Sequence, residues 1–317
     1  MPHPPGLGLA AIGCIVVGGP FVRLPVRPPA RPPVRRGDAG PFPSISNGTS
    51  IMTEWAVVTG GNRNIGAGIA RRLTEDGFQV IVASRTPPEH DFHAAYVPLD
   101  LADPDAAAAA LAEAVGDRPV TRFVHNAAIA PLAPGAELSV AELARVYAVN
   151  VGAFVALTQV LLPSMRRQGV GRIVAIGSRA ALGKEGRTAY AASKAALSGL
   201  VRTWALELGS DGITVNVVAP GPVRTSLFDA ANPPGHPMTE KLMHGVPVGF
   251  IGTPDDIAHA VSFFTSDAAR FVTGQVLFVC GGTSIAFKEP GGRPPVVHRH
   301  AAAFPGTHPR THPRTHR

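Results

Sequence analysis

Cysteine is nearly absent: the 317 residues hold two, Cys14 and Cys280. That excludes a disulfide framework and any Cys-rich zinc module. No apolar run near the start is long enough to span a bilayer: Leu7 to Val17 is about 11 residues, against the ~20 required. The opening MPHPP lacks a basic n-region, and no A-x-A cleavage site follows. Ala11-Ile12-Gly13-Cys14 is only a faint lipoprotein box, beginning with Ala rather than Leu. A reducing, cytoplasmic setting without membrane attachment is therefore expected. A basic domain is also missing, although the net charge is +7 and the pI is about 10.1. Residues 1–51 and 289–317 carry +4 each, which leaves −1 for 52–288. A nucleic-acid partner for the central region loses its electrostatic support.

Proline and glycine, by contrast, are plentiful, at 32 and 35. Seventeen of the prolines fall in the two terminal stretches. The segment RLPVRPPARPPVRR reads as an extended, solvated Pro/Arg arm. Met52 opens a sequence of different character and is a second candidate start. HPRTHPRTHR closes the chain as low-complexity sequence, and residues 289–317 hold five of the twelve histidines. Nothing there fixes ligand geometry, so no metal site is expected. The expected organisation is a disordered extension (1–51), one domain (52–288) and a disordered tail (289–317).

Within 52–288, strand and helix patterns alternate. Strands are expected at 55–59, 78–84, 96–99, 121–125, 171–178, 212–220 and 275–280. Helices are expected at 65–76, 103–115, 140–168, 188–209 and 254–266. The strands are apolar throughout rather than alternating, which marks burial on both faces. Seven such strands separated by helices predict an α/β, doubly wound Rossmann fold: a seven-stranded parallel sheet covered on both sides.

Directly after the first strand comes Thr59-Gly60-Gly61-Asn62-Arg63-Asn64-Ile65-Gly66, where a helix begins. In an open α/β sheet this turn lies at the carboxyl end of a central strand, where ligands bind. Its backbone N–H groups and the helix dipole suit a pyrophosphate. An NAD site wants a carboxylate at the end of the second strand, for the ribose 2′-hydroxyl. The chain offers Ala83-Ser84-Arg85 instead, with no acid until Glu89. Arg85 and Arg63 suit a 2′-phosphate, and Ser84 can donate to it. NADP(H) is expected in preference to NAD(H).

Tyr190 and Lys194 stand four residues apart, on one face of a helix. Free tyrosine has a pKa near 10. A neighbouring ammonium and an oxidised nicotinamide both favour phenolate, so the Tyr190 pKa is expected to fall. Tyr190 would then exchange a proton with a carbonyl oxygen, while Lys194 holds the ribose hydroxyls. Ser178, at the end of the fifth strand, is placed to hydrogen-bond the substrate oxygen; its alternative use is a simple helix or turn cap.

The glycine turn, His125-Asn126-Ala127-Ala128, Asn150, Ser178, Tyr190 with Lys194, and Pro220-Gly221-Pro222 follow one another as in the short-chain dehydrogenase/reductase family. The region 52–287 resembles that family along its whole length. The resemblance implies a catalytic tetrad of Asn150, Ser178, Tyr190 and Lys194, with Asn150 holding a water that passes protons to Lys194. It implies that Asp100, beside Leu101, contacts the adenine, and that Asn126 and Ala127 line the cofactor cleft. Pro220 to Thr225 would cover the nicotinamide, with Val223 and Thr225 in contact. The Tyr-x-x-x-Lys spacing separates the chain from the enoyl-reductase branch, which spaces the pair more widely. Asn64 replaces the middle glycine of the family turn, and asparagine is the non-glycine residue best able to take left-handed geometry. His125 stands where asparagine is usual.

The irregular stretch between Arg224 and Ile251 is expected to be a mobile lid. Leu227, Phe228, Leu242 and Met243 are candidates for its inner surface, and Leu182 and Lys184 for the opposite wall. The expected reaction is reversible reduction of a small or medium ketone or aldehyde. Reduction of 3-oxoacyl groups on acyl carrier protein is the alternative. It is disfavoured because Gly169 and Asp211 stand where such enzymes carry basic docking residues, although Arg166 and Arg167 are close by. A non-catalytic dinucleotide-binding regulator is a remote third reading. The resemblance further implies a homotetramer. Leu197, Leu200, Trp204 and Leu208 are candidates for the contact, or equally for core.

Overall fold

The computed structural model describes residues 54–90, 93–233 and 237–285, with the side chains at 227, 231, 237, 238 and 241 excepted. The expectations for residues 1–51 and 289–317 lie outside the described residues. Seven strands form one parallel sheet. They are β1 (Trp55–Thr59), β2 (Gln79–Ser84), β3 (Ala95–Pro98), β4 (Val120–His125), β5 (Gly171–Ile176), β6 (Ile213–Pro220) and β7 (Val276–Val279). Their spatial order is β3-β2-β1-β4-β5-β6-β7. Val57 pairs with Ile81 on one side and Phe123 on the other. The order therefore reverses at β1 and β4, and a crevice opens there beyond the carboxyl ends of the strands.

The helices are α1 (Asn64–Glu75), α2 (Pro104–Val115), α3 (Val140–Tyr147), α4 (Ala153–Gln168), α5 (Thr188–Leu208), α6 (Ser226–Ala231), α7 (Pro237–His244) and α8 (Pro254–Thr265). Period-two alternation splits each central strand between two cores. Val57, Phe123 and Ile173 pack against Leu111 of α2, Leu157 of α4 and Leu197 of α5. Ala56, Val58, Val124 and Val174 pack instead against Ile69 and Leu73 of α1 and Ile257 and Val261 of α8. Both faces are thus covered, as the continuous apolar strands require. The edge strands β3 and β7 are only partly buried, because each lacks a neighbour on one side.

Helix starts follow local chemistry. Asp103 caps α2 by accepting the Ala106 amide at 3.0 Å. Thr253 and Asp256 form a reciprocal capping box on α8. Two expectations need correction. The helix expected at 140–168 is broken by a π-helical turn, Ala148–Gly152, between α3 and α4. The stretch 224–251 is not irregular, since it contains α6 and α7. Val140–Gln168 as a whole is long and apolar enough to cross a membrane by length and composition. Here its apolar residues Val146, Phe154, Leu157 and Leu161 are fully buried within the protein.

Candidate active site

The turn after β1 is held by packing that only glycine permits. A Cβ on Gly66 would come within 1.9 Å of the Gly60 carbonyl oxygen, so α1 can start this close to β1 only without a side chain there. Asn126, just past β4, braces the turn by donating its side-chain amide to the carbonyls of Thr59 (3.1 Å) and Gly60 (3.0 Å). Asn64 takes the left-handed conformation, φ 50°. Its side chain accepts from the Ser226 amide at 2.9 Å and donates to the Ser226 hydroxyl at 3.1 Å. The glycine turn is therefore tied to the first residue of α6.

A cleft of about 980 Å³ opens over this turn. It brings together Gly60, Asn62, Arg63, Asn64, Ile65 and Gly66, then Ser84 and Arg85, Asp100 and Leu101, Asn126 and Ala127, and Thr225. Arg63 and Arg85 are exposed at its lip, and neither makes an ion pair among the described residues. No carboxylate follows β2 into the cleft. Two uncompensated guanidiniums in that place fit the extra phosphate of NADP(H), and the glycine turn fits its pyrophosphate. The Ser84 hydroxyl donates to the Thr86 carbonyl at 2.7 Å. Thr86, missed in the sequence, lines the cleft and accepts from the Asn62 amide at 2.8 Å. Arg145 was also missed, because its α3 position carries no motif; it lines the cleft while paired to Glu142. Pro220, Gly221 and Val223 do not line it. A Cβ on Gly221 would meet the Cys280 Cβ at 2.6 Å, so that glycine serves the close approach of the β7 end. Val223 is buried and bridges to Gly252.

Along α5, Lys194 is buried, and its ammonium donates to the Ile176 carbonyl at 2.6 Å. Its Nζ lies 5.7 Å from the centre of the Tyr190 ring. Burial pushes the Lys194 pKa down to about 7. Burial also raises that of Tyr190, against the Ser178 hydroxyl and the Arg187 guanidinium, which lower it. The expectation that Lys194 depresses the phenol is not met in the protein alone. Burial is the largest influence on each of the two groups. Ser178 takes up the capping role. Its hydroxyl caps the 3₁₀ turn Arg179–Leu182 by accepting from the Ala180 amide at 3.1 Å, and it also acts on the phenol.

Asn150 sits in the π-helical turn, fully buried. Its carbonyl oxygen accepts from the Ile129 amide (2.9 Å), and its amide donates to the Ile129 carbonyl (3.0 Å) and the Ser193 hydroxyl (2.9 Å). Both amide hydrogens are thus engaged, so the side chain fastens the loop after β4 to α5. Beneath it lies His125, whose Nδ1 meets the Thr59 hydroxyl at 3.2 Å. That hydroxyl already accepts from the Asn126 and Ala127 amides, so it donates to Nδ1. Burial first, then the Lys194 charge, push the His125 pKa down to about 3.

A second cavity of about 300 Å³ is lined by Ser178, Leu182, Lys194 and Arg202 together with Val276 and Phe278 of β7. Lys184 is exposed and outside its lining. Of the lid residues, Phe228 and Met243 are half-buried, Leu242 is exposed, and the Leu227 side chain lies outside the described residues. Leu197 and Leu208 of α5 are buried in the core, while Leu200 and Trp204 are half-buried against it, with the Trp204 ring tilted against Phe154 at 5.1 Å between centres.

The model described as enoyl-(acyl carrier protein) reductase matches residues 60–284. The chain belongs to the short-chain dehydrogenase/reductase family. Among its relatives, L-2,3-butanediol dehydrogenase of Corynebacterium glutamicum is 34% identical over 256 residues, spanning 73% of this chain and 98% of that protein. The 3-oxoacyl-(acyl-carrier-protein) reductase FabG of Aggregatibacter actinomycetemcomitans is 32% identical over 245 residues, spanning 73% and 99%. A solved structure from Beutenbergia cavernae, assigned as an NAD(P)-dependent gluconate 5-dehydrogenase, carries NADP at low occupancy. It is 36% identical, with a TM-score of 0.68 and coverage of 74% of this chain and 98% of that one. As a short-chain dehydrogenase/reductase, this protein is an oxidoreductase of a family that uses nicotinamide cofactors.

Proposed function

We propose that the protein reduces a ketone or aldehyde with NADPH, reversibly, and oxidises the secondary alcohol in the other direction. The observation that carries this reading is the Tyr190–Lys194 pair on α5, the lysine buried and the tyrosine half-buried, with the Ser178 hydroxyl acting on the phenol. The bound nucleotide supplies the hydride. Tyr190, protonated at neutral pH as a phenol is, gives its proton to the carbonyl oxygen as negative charge develops there. Ser178 donates a hydrogen bond to the same oxygen. Lys194 holds the ribose hydroxyls, and with a pKa about 7 it can pass a proton on at neutral pH. Asn150 completes the tetrad by keeping α5 and the loop after β4 in place. Because its side chain is committed, a relay water would rest on its main-chain carbonyl.

The preference for NADP(H) is supported by Arg63 and Arg85 at the lip of the cleft and by the missing carboxylate after β2. The protein is proposed to act on a small-molecule substrate, in the cytoplasm and as a homo-oligomer. Acyl carrier protein remains the competing partner, since a 3-oxoacyl-(acyl-carrier-protein) reductase is among the relatives. Against it, Arg166 is paired with Asp211 at 2.8 Å, which offsets the nearest basic charge.

Oxidation of NADPH at 340 nm in the presence of carbonyl compounds tests the reading. Tyr190→Phe should cost at least about a hundredfold in kcat, with the affinity for NADPH retained. Equal activity with NADH would overturn the cofactor preference, and undiminished turnover by Tyr190→Phe would overturn the mechanism.

A further inference from the structure

The nine residues that lead from Ser178 to the start of α5 hold three cations and one acid. Arg179 opens the 3₁₀ turn, Lys184 lies in the loop, and Arg187 immediately precedes α5. The loop is tied to the segment that follows β4. Arg187 donates to the Ala130 carbonyl, and the Gly186 carbonyl accepts from the Ala133 amide at 3.0 Å. Among the described residues, none of the three cations makes an ion pair, although the surface ion pairs elsewhere engage Arg71, Arg72, Arg145 and Arg166. Glu185, the one acid, is exposed and makes no ion pair among the described residues. Partial desolvation, then the charges of Arg187 and Arg179, hold the Lys184 ammonium below its ordinary value, and Arg187 also acts on the Tyr190 phenol. Three cations therefore share the short segment that runs from Ser178 to Arg187, three residues before Tyr190, without an ion-pair partner among the described residues. With a balance of −1 over 52–288, this is a local arrangement and not a consequence of composition. Exposed apolar side chains flank it: Leu182 on the same segment, and Leu132, against which Gly186 packs.

We propose that Arg179, Lys184 and Arg187 form an anion-recognition collar at the substrate mouth, selecting carbonyl compounds that carry an anionic group over neutral ones of the same skeleton. Like-charged head groups held together by the loop repel one another, and an anion between them relieves that repulsion while gaining charge-assisted hydrogen bonds. The apolar flank accepts the short chain that joins the anion to the carbonyl. The anion is either a carboxylate on the substrate itself or a phosphate on an acyl carrier such as coenzyme A. This proposal rests on the carbonyl-reductase reading and supplies its substrate class.

The test is binding, independent of turnover. The full chain loaded with NADP⁺ is titrated by calorimetry with pyruvate, acetoacetate and levulinate, each beside its ethyl ester, and with acetoacetyl-coenzyme A. At least one anion should bind about tenfold more tightly than its neutral partner. That gap should narrow to about twofold in Lys184→Gln and at about 0.5 M KCl. Arg179→Gln carries the same comparison should Lys184→Gln fail to fold. A preference confined to the coenzyme A thioester assigns the phosphate; one seen with free acids assigns the carboxylate. The collar is overturned if no anion binds more tightly than its ester, or if the ratio survives both substitutions. Anion-selective binding with no turnover of any compound would uphold the collar and count against the reductase reading, and turnover without selectivity would do the reverse.

Discussion

Lys194 and His125 are ionisable side chains held almost wholly inside the fold. Lys194, with its pKa lowered to about 7, is far easier to protonate in the unfolded chain, whose lysines titrate near 10.4. Between those values the unfolded state binds more protons, so the protein gains stability as pH rises from 7 towards 10. Lys194→Met should therefore abolish turnover yet raise stability at pH 7 by ~1–3 kcal/mol, the usual gain on replacing a buried charge by a packed apolar group. Thermal or urea unfolding of the two proteins at pH 7 measures it, and a lower midpoint for the variant would refute the argument. His125, held neutral with a pKa about 3, works at the acid end. Its unfolded value is near 6.5, so it contributes stability above that pH and loses it as pH falls towards 3. His125→Asn should shift the acid-unfolding midpoint to lower pH, followed by circular dichroism. The sequence shows the residue type at both positions but not the burial that alters their chemistry. Tyr190, Lys194 and Ser178 were legible because their spacing is local to one helix and one strand end. The direction of the Tyr190 shift was not, because desolvation comes from elements far away in sequence.

At the scale of elements, the π-helical turn at 148–152 and the clasp between Asn64 and Ser226 decide how the site is framed. The π-helical turn places Asn150 where it reaches Ile129 and Ser193 together, and such turns recur at functional sites. Hydrophobic periodicity across 140–168 is blind to one extra residue per turn, so an uninterrupted helix was expected there. Asn64 was recognised in the sequence as a residue able to take positive φ, but its partner lies 162 positions away. That pair links the cofactor turn to α6 at two hydrogen bonds. Asn64→Gly should leave the turn intact, free α6, and speed release of NADP⁺ by about three- to tenfold, as expected for losing one or two exposed hydrogen bonds worth ~1 kcal/mol. Stopped-flow fluorescence of the bound nucleotide reads the rate, and an unchanged rate would show that the clasp does not hold the cofactor. The seven strands and most helices were readable to within a residue or two, because apolar runs and caps are local signals.

For the whole molecule, the edge of the sheet opposite the cleft carries a different network. Arg122 of β4 and Arg172 of β5 stand side by side and almost fully buried. Arg122 meets Glu54 at 2.9 Å and Asp267 at 2.8 Å, and its guanidinium lies 4.8 Å from the Phe78 ring centre. Burial lowers the pKa of both arginines, and the two carboxylates oppose it. These contacts join the start of β1 to the segment after α8, across most of the folded region. Asp267→Asn would leave two buried cations with Glu54 alone. Since the Asp267 side chain is itself 75% exposed, solvent screening limits the loss. About 1–2 kcal/mol should disappear from the urea-unfolding free energy, with kcat unchanged, because the network is remote from the cleft.

By itself the sequence determined the layer order, the parallel sheet, the glycine turn and the Tyr–Lys pair, since each depends on residues near one another in the chain. Tertiary structure alone decided which glycines serve the cleft and which serve packing: Gly66 meets the Gly60 carbonyl, whereas Gly221 meets Cys280. It also decided that Leu197 and Leu208 of α5 are core while Leu200 and Trp204 stay half-buried, and that burial raises the Tyr190 pKa and lowers that of Lys194 to about 7. The physical reason is one of range. Periodicity, capping and turn geometry act over a few residues, while desolvation and close packing depend on whatever the fold brings alongside.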